Sequence, residues 1–387
     1  MKRGCVLGYD INEKGCQISY YDDSMEEPDT MMASSNNYLI PLVLGYFKDR
    51  WVFGKEAKRL AVVGEDCTET DLYGKAKRRE KVILAGKTYD AVWLLAKYIS
   101  LTLQDFENIQ YLTFTTPETD VDMAKMLKGI GQHIGVDKEI ISVQDYKESF
   151  CQYMIFQPKE LWQYESALFY CDEDRIKAYM LRRLRVDASH GMNSFVTVDE
   201  VANAQRKELE ALYPIMNKEK SPDESFKSMI ENVFEKKVIS SVYLTGEGFE
   251  KNWYPNSLRV LCNGRRAFMG NNLYSKGACY KSIRKCESND DGPIYLDETK
   301  LTERICLRMR VDGQEGWYPL VTWGTHWYEA DGQWEVLLED ASDIEILVES
   351  LVDEEVQVEK VSLEGLPKRT DYSLRLQVEA MFLDERT

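Results

Sequence analysis

The sequence predicts an α/β domain followed by an all-β domain. Strand and helix patterns alternate through the first part of the chain, which favours a partly parallel sheet. Helical periodicity disappears after Pro293, where short alternating strands separated by turns begin. The 387 residues also exceed what one simple core accommodates, so two or three domains are expected. We assign residues 1–287 to the first domain and residues 294–387 to the second.

Charge and composition argue against several functional classes. The net charge is −17, which repels phosphodiester backbones and anionic lipid, so neither nucleic acid nor a membrane is an expected partner. No apolar run approaches the roughly 20 residues that span a bilayer, and the N-terminus lacks a signal-peptide pattern. The nine cysteines show no CxxC spacing, which indicates free thiols in a reducing cytoplasm. The three histidines lie far apart in the sequence, so a histidine-based metal site is poorly supported.

The first element is a hairpin within residues 5–20. An apolar strand ends on Gly8-Tyr9-Asp10, and a polar turn containing Gly15 leads into a returning strand. Asp10 therefore places a carboxylate at the end of a strand, where ligands often bind. An exposed turn acid is the alternative interpretation of the same residue.

The other elements of the first domain follow from periodicity, capping residues and chain breakers. Thr88 and Gly135 are the expected N-cap and C-cap of two of the helices. The strands are expected at residues 38–45 (an edge strand broken by Pro41), 46–53 (a second hairpin), 110–115, 140–143, 165–170, 176–184 and 238–245. The helices are expected to begin at residue 54 and to cover residues 88–106, 120–134, 147–156, 199–212, 221–234 and 265–280.

The second domain is predicted to be a β-sandwich by the spacing of its strands. Asp312-Gly313 and Asp331-Gly332 are expected hairpin turns. The sequence stops directly after the last strand, which indicates that a returning strand lies beyond Thr387. The expected strands cover residues 305–311, 317–323, 333–338, 344–348, 356–363 and 373–382.

This order of elements resembles the nucleotide-binding fold of the actin-like ATPase superfamily, and within it the DnaK-type heat-shock chaperones. The resemblance is carried by the opening hairpin, by YLIPLVLGY followed by VFGKEAKRLA, by the strand YLTFTTP after a long helix, and by VYLTGEGF with a closing helix. Residues 363–384 resemble the end of the chaperones' substrate-binding β-sandwich. The resemblance covers nearly the whole chain in order and spacing. It implies two lobes around a cleft that holds ATP or ADP with magnesium.

The resemblance also implies a set of site residues. If the protein is an active ATPase, Asp10 and Asp172 would be catalytic, and Asp10, Asp172 and Asp174 would organise magnesium. A strand-ending turn is the alternative interpretation of Gly246-Glu247-Gly248. The candidates for nucleotide binding are Gly8, Asp10, Asn12, Gly246, Glu247 and Gly248. Four lysines could face a phosphate, and the sequence does not favour one of them over the others. They are Lys55, Lys58, Lys75 and Lys77.

The sequence departs from the family at its phosphate-binding turns. The family has small residues and glycines there, whereas this chain has Asn12-Glu13-Lys14 in the first turn and Cys171-Asp172-Glu173-Asp174 in the second. One acid about 4 Å from one phosphate charge costs about 4 kcal/mol at an effective dielectric constant of about 20. We therefore expect a domain that binds nucleotide weakly or without hydrolysing it, or that holds no cofactor at all.

These observations predict a chaperone-like protein that binds a protein or peptide partner through its β-domain. Core packing explains most of the domain's aromatic residues, and an exposed remainder would form the partner-binding face. The alternatives are an active magnesium-dependent ATPase of the DnaK type and an actin-like filament former, against which the appended β-domain argues. The oligomeric state is not predicted. The aromatic-rich patch consists of Trp317, Trp323, Trp327, Trp334, Tyr318 and Tyr328.

Overall fold

The computed structural model describes residues 4–34, 37–63, 67–184, 195–205, 221–287, 292–338, 342–351, 356–366 and 374–382. Within these residues the chain is a mixed α/β protein with several sheets. It separates into two compact units. The first is Met1–Arg182 with Val198–Gly292, and the second is Arg183–Thr197 with Pro293–Thr387. Sequence patterns alone placed all of residues 183–197 in the first domain.

The strands up to residue 287 are β1 (Cys5–Ile11), β2 (Gly15–Tyr21), β3 (Asp29–Thr30), β4 (Ile40–Pro41), β5 (Leu44–Phe47), β6 (Arg50–Phe53), β7 (Thr68–Glu69), β8 (Lys81–Leu84), β9 (Lys87–Asp90), β10 (Ile109–Thr116), β11 (Ile141–Asp145), β12 (Glu165–Cys171), β13 (Arg175–Leu184), β14 (Phe195–Gln205), β15 (Ile239–Thr245) and β16 (Arg266–Met269). The helices are α1 (Gly54–Val63), α2 (Leu72–Lys77), α3 (Ala91–Thr102), α4 (Val121–His133), α5 (Tyr146–Ile155), α6 (Pro222–Phe234), α7 (Pro255–Leu261) and α8 (Leu273–Cys286).

Two sheets of the first unit have the same strand order. The first runs β11-β10-β1-β2-β3, with β4 beside β2, and the second runs β16-β15-β12-β13-β14. In the first sheet, β1 is antiparallel to β2 and parallel to β10, which is parallel to β11. In the second, β12 is antiparallel to β13 and parallel to β15, which is parallel to β16. The first unit therefore contains one topology twice.

Helix α8 follows the second sheet in the chain but packs on the first. A Cβ atom at Gly8 of β1 would lie 2.1 Å from the carbonyl oxygen of Ser275, so only glycine allows this approach. The Ser282 hydroxyl of α8 donates a hydrogen bond to the Leu7 carbonyl oxygen at 2.7 Å. Val6 packs with Tyr280 in the same contact. The face of the first sheet is thus covered by a helix from the other end of the unit.

Helix α5 makes a smaller contact in the opposite sense, because it follows the first sheet and touches β15 of the second. Its Phe150 and Tyr153 rings lie edge-on to Tyr243 of β15, with centroids 5.9 and 5.8 Å apart. The two helices also touch each other, since a Cβ atom at Gly277 of α8 would lie 2.0 Å from the Ser149 carbonyl oxygen of α5. Helix α8 therefore covers the first sheet, and α5 reaches the second sheet through two aromatic contacts with Tyr243.

Local signals placed most elements of the first unit correctly. The hairpin in residues 5–20 is β1 and β2, and the helix predicted at 221–234 is α6. Helix α6 begins with a capping box, in which Ser221 accepts from the Glu224 backbone N–H and the Glu224 side chain accepts from the Ser221 N–H. The N-cap of α3 is Asp90 and not Thr88, because the Asp90 side chain accepts from two backbone N–H groups and Thr88 lies in β9.

Two predicted helices are wrong at least in part. The helix predicted at 199–212 is strand β14 as far as Gln205, where β14 adds to β13 and its Val201 and Ala202 pack against the core of the second sheet. The rest of that predicted helix lies outside the described residues. The segment predicted as helix at 265–280 begins with strand β16, which pairs in parallel with β15, and its helix starts only at Leu273. In both cases pairing with another strand outweighs local propensity.

The second unit is all β within its described residues. Its strands are β17 (Ile294–Tyr295), β18 (Glu303–Val311), β19 (Gln314–Val321), β20 (Gly332–Leu338), β21 (Asp343–Ser350), β22 (Val356–Ser362) and β23 (Leu374–Ala380). Strands β19-β18-β21-β22 form an antiparallel sheet, β20 pairs with β23, and β17 pairs with Phe195 and Val196 of β14. Residues from both antiparallel sheets meet in one apolar cluster that includes Val321 and Trp334.

One of the two predicted hairpin turns is confirmed. Asp312 and Gly313 have φ angles of 49° and 83°, and both left-handed residues form the tight turn between β18 and β19. The hairpin predicted at Asp331-Gly332 is wrong, because Gly332 begins β20 and the partner of β20 is β23. Across the described segments, no helix has both the length and the apolar composition that a membrane span requires.

Candidate functional site

The turn of the first hairpin is closed by the side chain of Asn12. Its Oδ1 atom accepts hydrogen bonds from the backbone N–H groups of Lys14 at 2.9 Å and Gly15 at 3.2 Å. The Asn12 N–H donates to the Gly15 carbonyl oxygen at 3.0 Å. An Asx side chain thus occupies the turn's own donors.

The turn of the second sheet's hairpin has the same construction around Asp172. Its Oδ1 atom accepts from the N–H groups of Asp174 at 2.7 Å and Arg175 at 2.8 Å. The Asp172 N–H donates to the Arg175 carbonyl oxygen at 3.1 Å. Asn12 and Asp172 are both the first residue after the first strand of their sheet. The two turns therefore repeat one another, and in each the Asx side chain occupies two backbone N–H groups.

A cleft of about 450 Å³ opens in the first unit beside these turns. It lies where the carboxyl ends of β1, β12 and β15 approach the starts of α5 and α8, which is where open α/β sheets commonly bind ligands. The lining residues on which its chemistry depends are Asp10, Gln17, Tyr146, Tyr170, Gly246 and Tyr274.

Asp10 is the buried acid of the cleft, with 3% of its surface exposed. Its Oδ1 atom accepts a hydrogen bond from the Tyr146 hydroxyl at 2.8 Å, and that hydroxyl accepts one from Asn12 Nδ2 at 2.9 Å. Burial raises the pKa of Asp10 to about 7, although the hydrogen bond from Tyr146 acts in the opposite direction. The Asp10 carboxyl group therefore changes its protonation near neutral pH.

Tyrosine rings form one wall of the cleft. Tyr146 and Tyr274 are stacked, with ring centroids 3.7 Å apart and planes 7° apart. Burial, followed by the charge of Asp10, raises the pKa of Tyr146 well above its usual value, so its hydroxyl stays protonated. Neither tyrosine was predicted from the sequence. A signal for Tyr146 existed, because it directly follows Asp145, which ends β11 and caps α5.

Two polar atoms at the cleft have no hydrogen-bond partner within the described structure. These are the Gln17 Oε1 atom and the Tyr274 hydroxyl, and the side chains are only 8% and 4% exposed as residues. Gln17 faces Asp10 across the β1–β2 ladder, so the hairpin register brings them together. Buried polar atoms are normally satisfied, so these two atoms are available to bind a ligand or solvent in the cleft.

An ion pair links the first turn to the loop after β15. The Lys14 ammonium group binds the Glu247 carboxylate. Burial acts against the charged form of Lys14, but the hydrogen bond and charge of Glu247, with the charges of Glu173 and Asp172, outweigh it and raise the pKa of Lys14. The turns of both sheets and the β15 loop are therefore electrostatically coupled around the cleft.

The structure brings some of the predicted nucleotide-binding residues together and separates others. Asp10, Asn12, Gly246 and Glu247 line the cleft, whereas Gly8 packs against α8. The loop glycines also have a packing role. Gly246 has a φ angle of 99°, and a Cβ atom there would lie 2.1 Å from the Cys171 carbonyl oxygen.

The second loop glycine and the predicted lysines lie outside the lining of the cleft. A Cβ atom at Gly248 would lie 2.3 Å from Cys171 Sγ, so this glycine is also required by packing. Lys75 is bound to Glu69 at 2.8 Å. The other three lysines predicted to face a phosphate do not line the cleft either. They are Lys55, Lys58 and Lys77.

The predicted magnesium ligands do not form a cluster. Asp172 holds its own turn and Asp174 is exposed, while Asp10 is buried in the cleft. In the part of the chain that the structure describes, no group of three or more His, Cys, Asp or Glu residues is placed to hold a metal ion.

The predicted aromatic patch of the second unit is divided between separate environments. Trp323 is buried beside Phe195, and Trp327 and Trp334 pack against a different apolar cluster. Tyr318 and Tyr328 are half-buried, whereas Trp317 on β19 is 37% exposed. Core packing accounts for most of the patch, and Trp317 is its most exposed member.

The fold and the cleft define an α/β unit with a duplicated sheet topology, in a chain that also carries an all-β unit. Residues 27–298 match a family model described as "Family of unknown function (DUF5716) C-terminal". This match covers well over half of the chain, and the protein belongs to the DUF5716 family. Residues 300–387 match a second model, described as "Domain of unknown function (DUF8552)". No curated protein matches the chain.

Proposed function

We propose that this protein is a chaperone-like member of the actin-like ATPase superfamily. Its first unit binds nucleotide weakly or without hydrolysing it, and its second unit binds a protein or peptide partner. The support for the first part is the duplicated sheet order, together with the helix after each sheet contacting the other sheet and the close crossing of these two helices. Two lobes built in this way around a cleft are what the sequence resemblance implies.

The proposal that the first unit does not hydrolyse nucleotide rests on the hydrogen bonds within the two hairpin turns. In the superfamily, the backbone N–H groups of these turns hold the phosphates. Here the N–H groups of Lys14 and Gly15 are occupied by Asn12, and those of Asp174 and Arg175 by Asp172. A phosphate would have to displace these side chains and also approach the acids of the turns, at about 4 kcal/mol for each close charge.

The proposal for the second unit rests on its strand arrangement and on one exposed tryptophan. Its antiparallel sheets share an apolar cluster, which supports a β-sandwich like that of the chaperones' substrate-binding domain. Trp317 on β19 would contribute to the partner-binding face. None of the nine cysteines, all of which lie in the described segments, forms a disulfide, which supports a cytoplasmic location.

ATP turnover by the purified chain with magnesium tests the proposal. We expect no hydrolysis above that of an Asp10→Ala variant, and a Glu250→Gln variant serves as a control for loss of another carboxylate at the cleft. Robust hydrolysis that Asp10→Ala abolishes would instead establish the active magnesium-dependent ATPase.

A thermal-shift panel with ATP and ADP, with and without magnesium, measures nucleotide binding separately from turnover. A tight ligand at about 100 times its dissociation constant would stabilise the fold by about 2.7 kcal/mol. We expect a clearly smaller shift than this for both nucleotides, and no dependence on magnesium.

A further inference from the structure

The cleft of the first unit presents acceptors and aromatic rings in place of free positive charge. Asp10 lines it as a buried carboxyl group, and Gln17 Oε1 lies buried beside it without a donor in the described structure. Among the described lining residues the only cation is Lys14, which is already paired with Glu247. Among its described lining residues, the site therefore offers no unpaired positive charge to bind an anionic ligand tightly.

The hydrogen-bonding groups specify what a ligand must supply. The Gln17 carbonyl oxygen can only accept, and the Asp10 carboxylate accepts one hydrogen bond from Tyr146 but has room for more. The Tyr274 hydroxyl, also buried and unpartnered in the described structure, can accept as well as donate. A ligand that carries several N–H donors would satisfy these groups together.

The charges and aromatic rings that line the cleft determine which kind of N–H donor it favours. Asp10, Glu247 and Glu250 line the cleft against the single lysine, which favours a positively charged ligand over a neutral or negative one. The rings of Tyr146, Tyr170 and Tyr274 lie at the same cleft, and tyrosine faces attract ammonium groups. Because Tyr146 and Tyr274 cover each other's facing sides, Tyr170 and the outer side of this stacked pair are the surfaces that a ligand could contact. A carboxylate beside several tyrosine rings is the composition of an ammonium-binding site.

We propose that the cleft binds a small organic ammonium ion, held by the Asp10 carboxylate and the Gln17 carbonyl oxygen against the tyrosine rings. The cleft volume of about 450 Å³ suits a small molecule. The inference deepens the proposed function and rests on it, because the site must no longer be devoted to nucleotide phosphates. The ammonium group would lie on the first sheet's side, where Asp10 and Gln17 face each other across the hairpin.

Calorimetry on the full chain tests this inference with three small molecules of similar shape and different charge. The probes are phenethylamine, its neutral counterpart 2-phenylethanol and the anion phenylacetate, at pH 8, where Asp10 is mainly ionised. We expect the amine to bind at least tenfold more tightly than the alcohol and phenylacetate not to bind. Agmatine is a second cationic probe without an aromatic ring, and adenosine is the neutral nucleoside comparison.

Variants separate a contact with the ammonium group from a general loss of structure. Asp10→Asn and Gln17→Leu should each weaken phenethylamine binding at least tenfold while leaving 2-phenylethanol affinity unchanged. Glu13→Gln removes an exposed carboxylate from the adjacent turn, outside the cleft lining, and should change the amine affinity less than twofold.

Three outcomes would overturn the inference: equal binding of alcohol and amine, unchanged amine affinity in Asp10→Asn, or no binding of either amine. Adenosine binding without amine binding would also overturn it and leave the proposed function standing. ATP hydrolysis that depends on Asp10 would overturn the proposed function itself, so the two failures are distinguishable.

Discussion

The two sheets of the first unit share a strand order and a turn, but they present different side chains to the cleft. Two residues before the turn-closing Asn12, β1 carries Asp10, and two residues before Asp172, β12 carries Tyr170. The positions correspond, because Asp10 is in register with Thr115 of β10, and Tyr170 with Thr245 of β15. The first sheet thus supplies a carboxyl group where the second supplies a ring.

The neighbouring hairpin positions differ in the same way. Gln17 lies opposite Asp10, whereas Lys177 lies opposite Tyr170 and is within 3.4 Å of Glu200. The backbone hydrogen bonds of the two turns are nonetheless the same. Strand order and turn geometry are therefore set by the backbone and one Asx residue, while the side chains at the strand ends determine the chemistry.

The largest expected effect comes from replacing Asp10 by asparagine. The pKa of Asp10 rises from 3.8 to about 7 on folding, so between pH 4 and pH 7 the folded state holds a proton that the unfolded state releases. The free energy of unfolding therefore falls as the pH rises through that window, by about 4 kcal/mol at most. Asp10→Asn should be more stable than the wild type at pH 8 and similar to it at pH 4, measured by urea unfolding.

Tyr170→Phe is the matched control on the second sheet. Burial, followed by the charge of Asp172, raises the pKa of Tyr170, so this ring stays neutral throughout the same pH range. The variant should keep the wild-type dependence of stability on pH. An Asp10→Asn protein with an unchanged dependence would show that another group is responsible.

A somewhat smaller effect is expected where the two halves cross. Gly277→Ala would place a Cβ atom 2.0 Å from the Ser149 carbonyl oxygen, and a backbone atom cannot move aside by changing rotamer. We expect a loss of about 3 kcal/mol, measured by urea unfolding followed by circular dichroism. Gly129→Ala on α4 is the control, because a Cβ atom at that position would have nothing within 4 Å of it, and the substitution should stabilise by about 0.5–1 kcal/mol. Equal effects of the two substitutions would refute the close crossing of α5 and α8.

The smallest expected effects test the repeated turns. Asp172→Ala removes two hydrogen bonds within one turn and should cost about 1 kcal/mol, as the loss of a helix cap does. Asn12→Ala removes the equivalent bonds and also the one to Tyr146, which adds about 1 kcal/mol. Urea unfolding of both variants should therefore give the larger loss for Asn12→Ala. The reverse order would break the equivalence of the turns.

Local sequence signals accounted for the elements that depend on neighbouring residues. The capping box at Ser221 placed α6, and Asp312-Gly313 placed a hairpin turn. Strand β14 was mistaken for helix because its hydrogen bonds come from β13, and residues 199–205 contain good helix formers. The helix predicted over β16 is wrong for the same reason. The hydrogen bonds that make residues 266–269 a strand come from β15, and the local sequence does not reveal that pairing.

Only the site residues on or next to the first hairpin could be predicted from the sequence. Asp10 and Asn12 follow directly from the first hairpin, and Gln17 could have been found from the hairpin register that sets it opposite Asp10. Tyr146 and Tyr274 come from helices that begin in different halves of the unit. Their stacking depends on the crossing of α5 and α8, which no local pattern encodes.

The packing of α8 on β1 has a consequence for how the protein is made. The hydrogen bond from Ser282 to Leu7 joins residues 275 positions apart, and Val6 is buried against residues of the same helix. A ribosome that has synthesised the first sheet has not yet produced the helix that covers it. The nascent chain must therefore keep an apolar sheet face uncovered from the completion of β11 at Asp145 until the helix that ends at Cys286 has emerged, and the first unit closes only then.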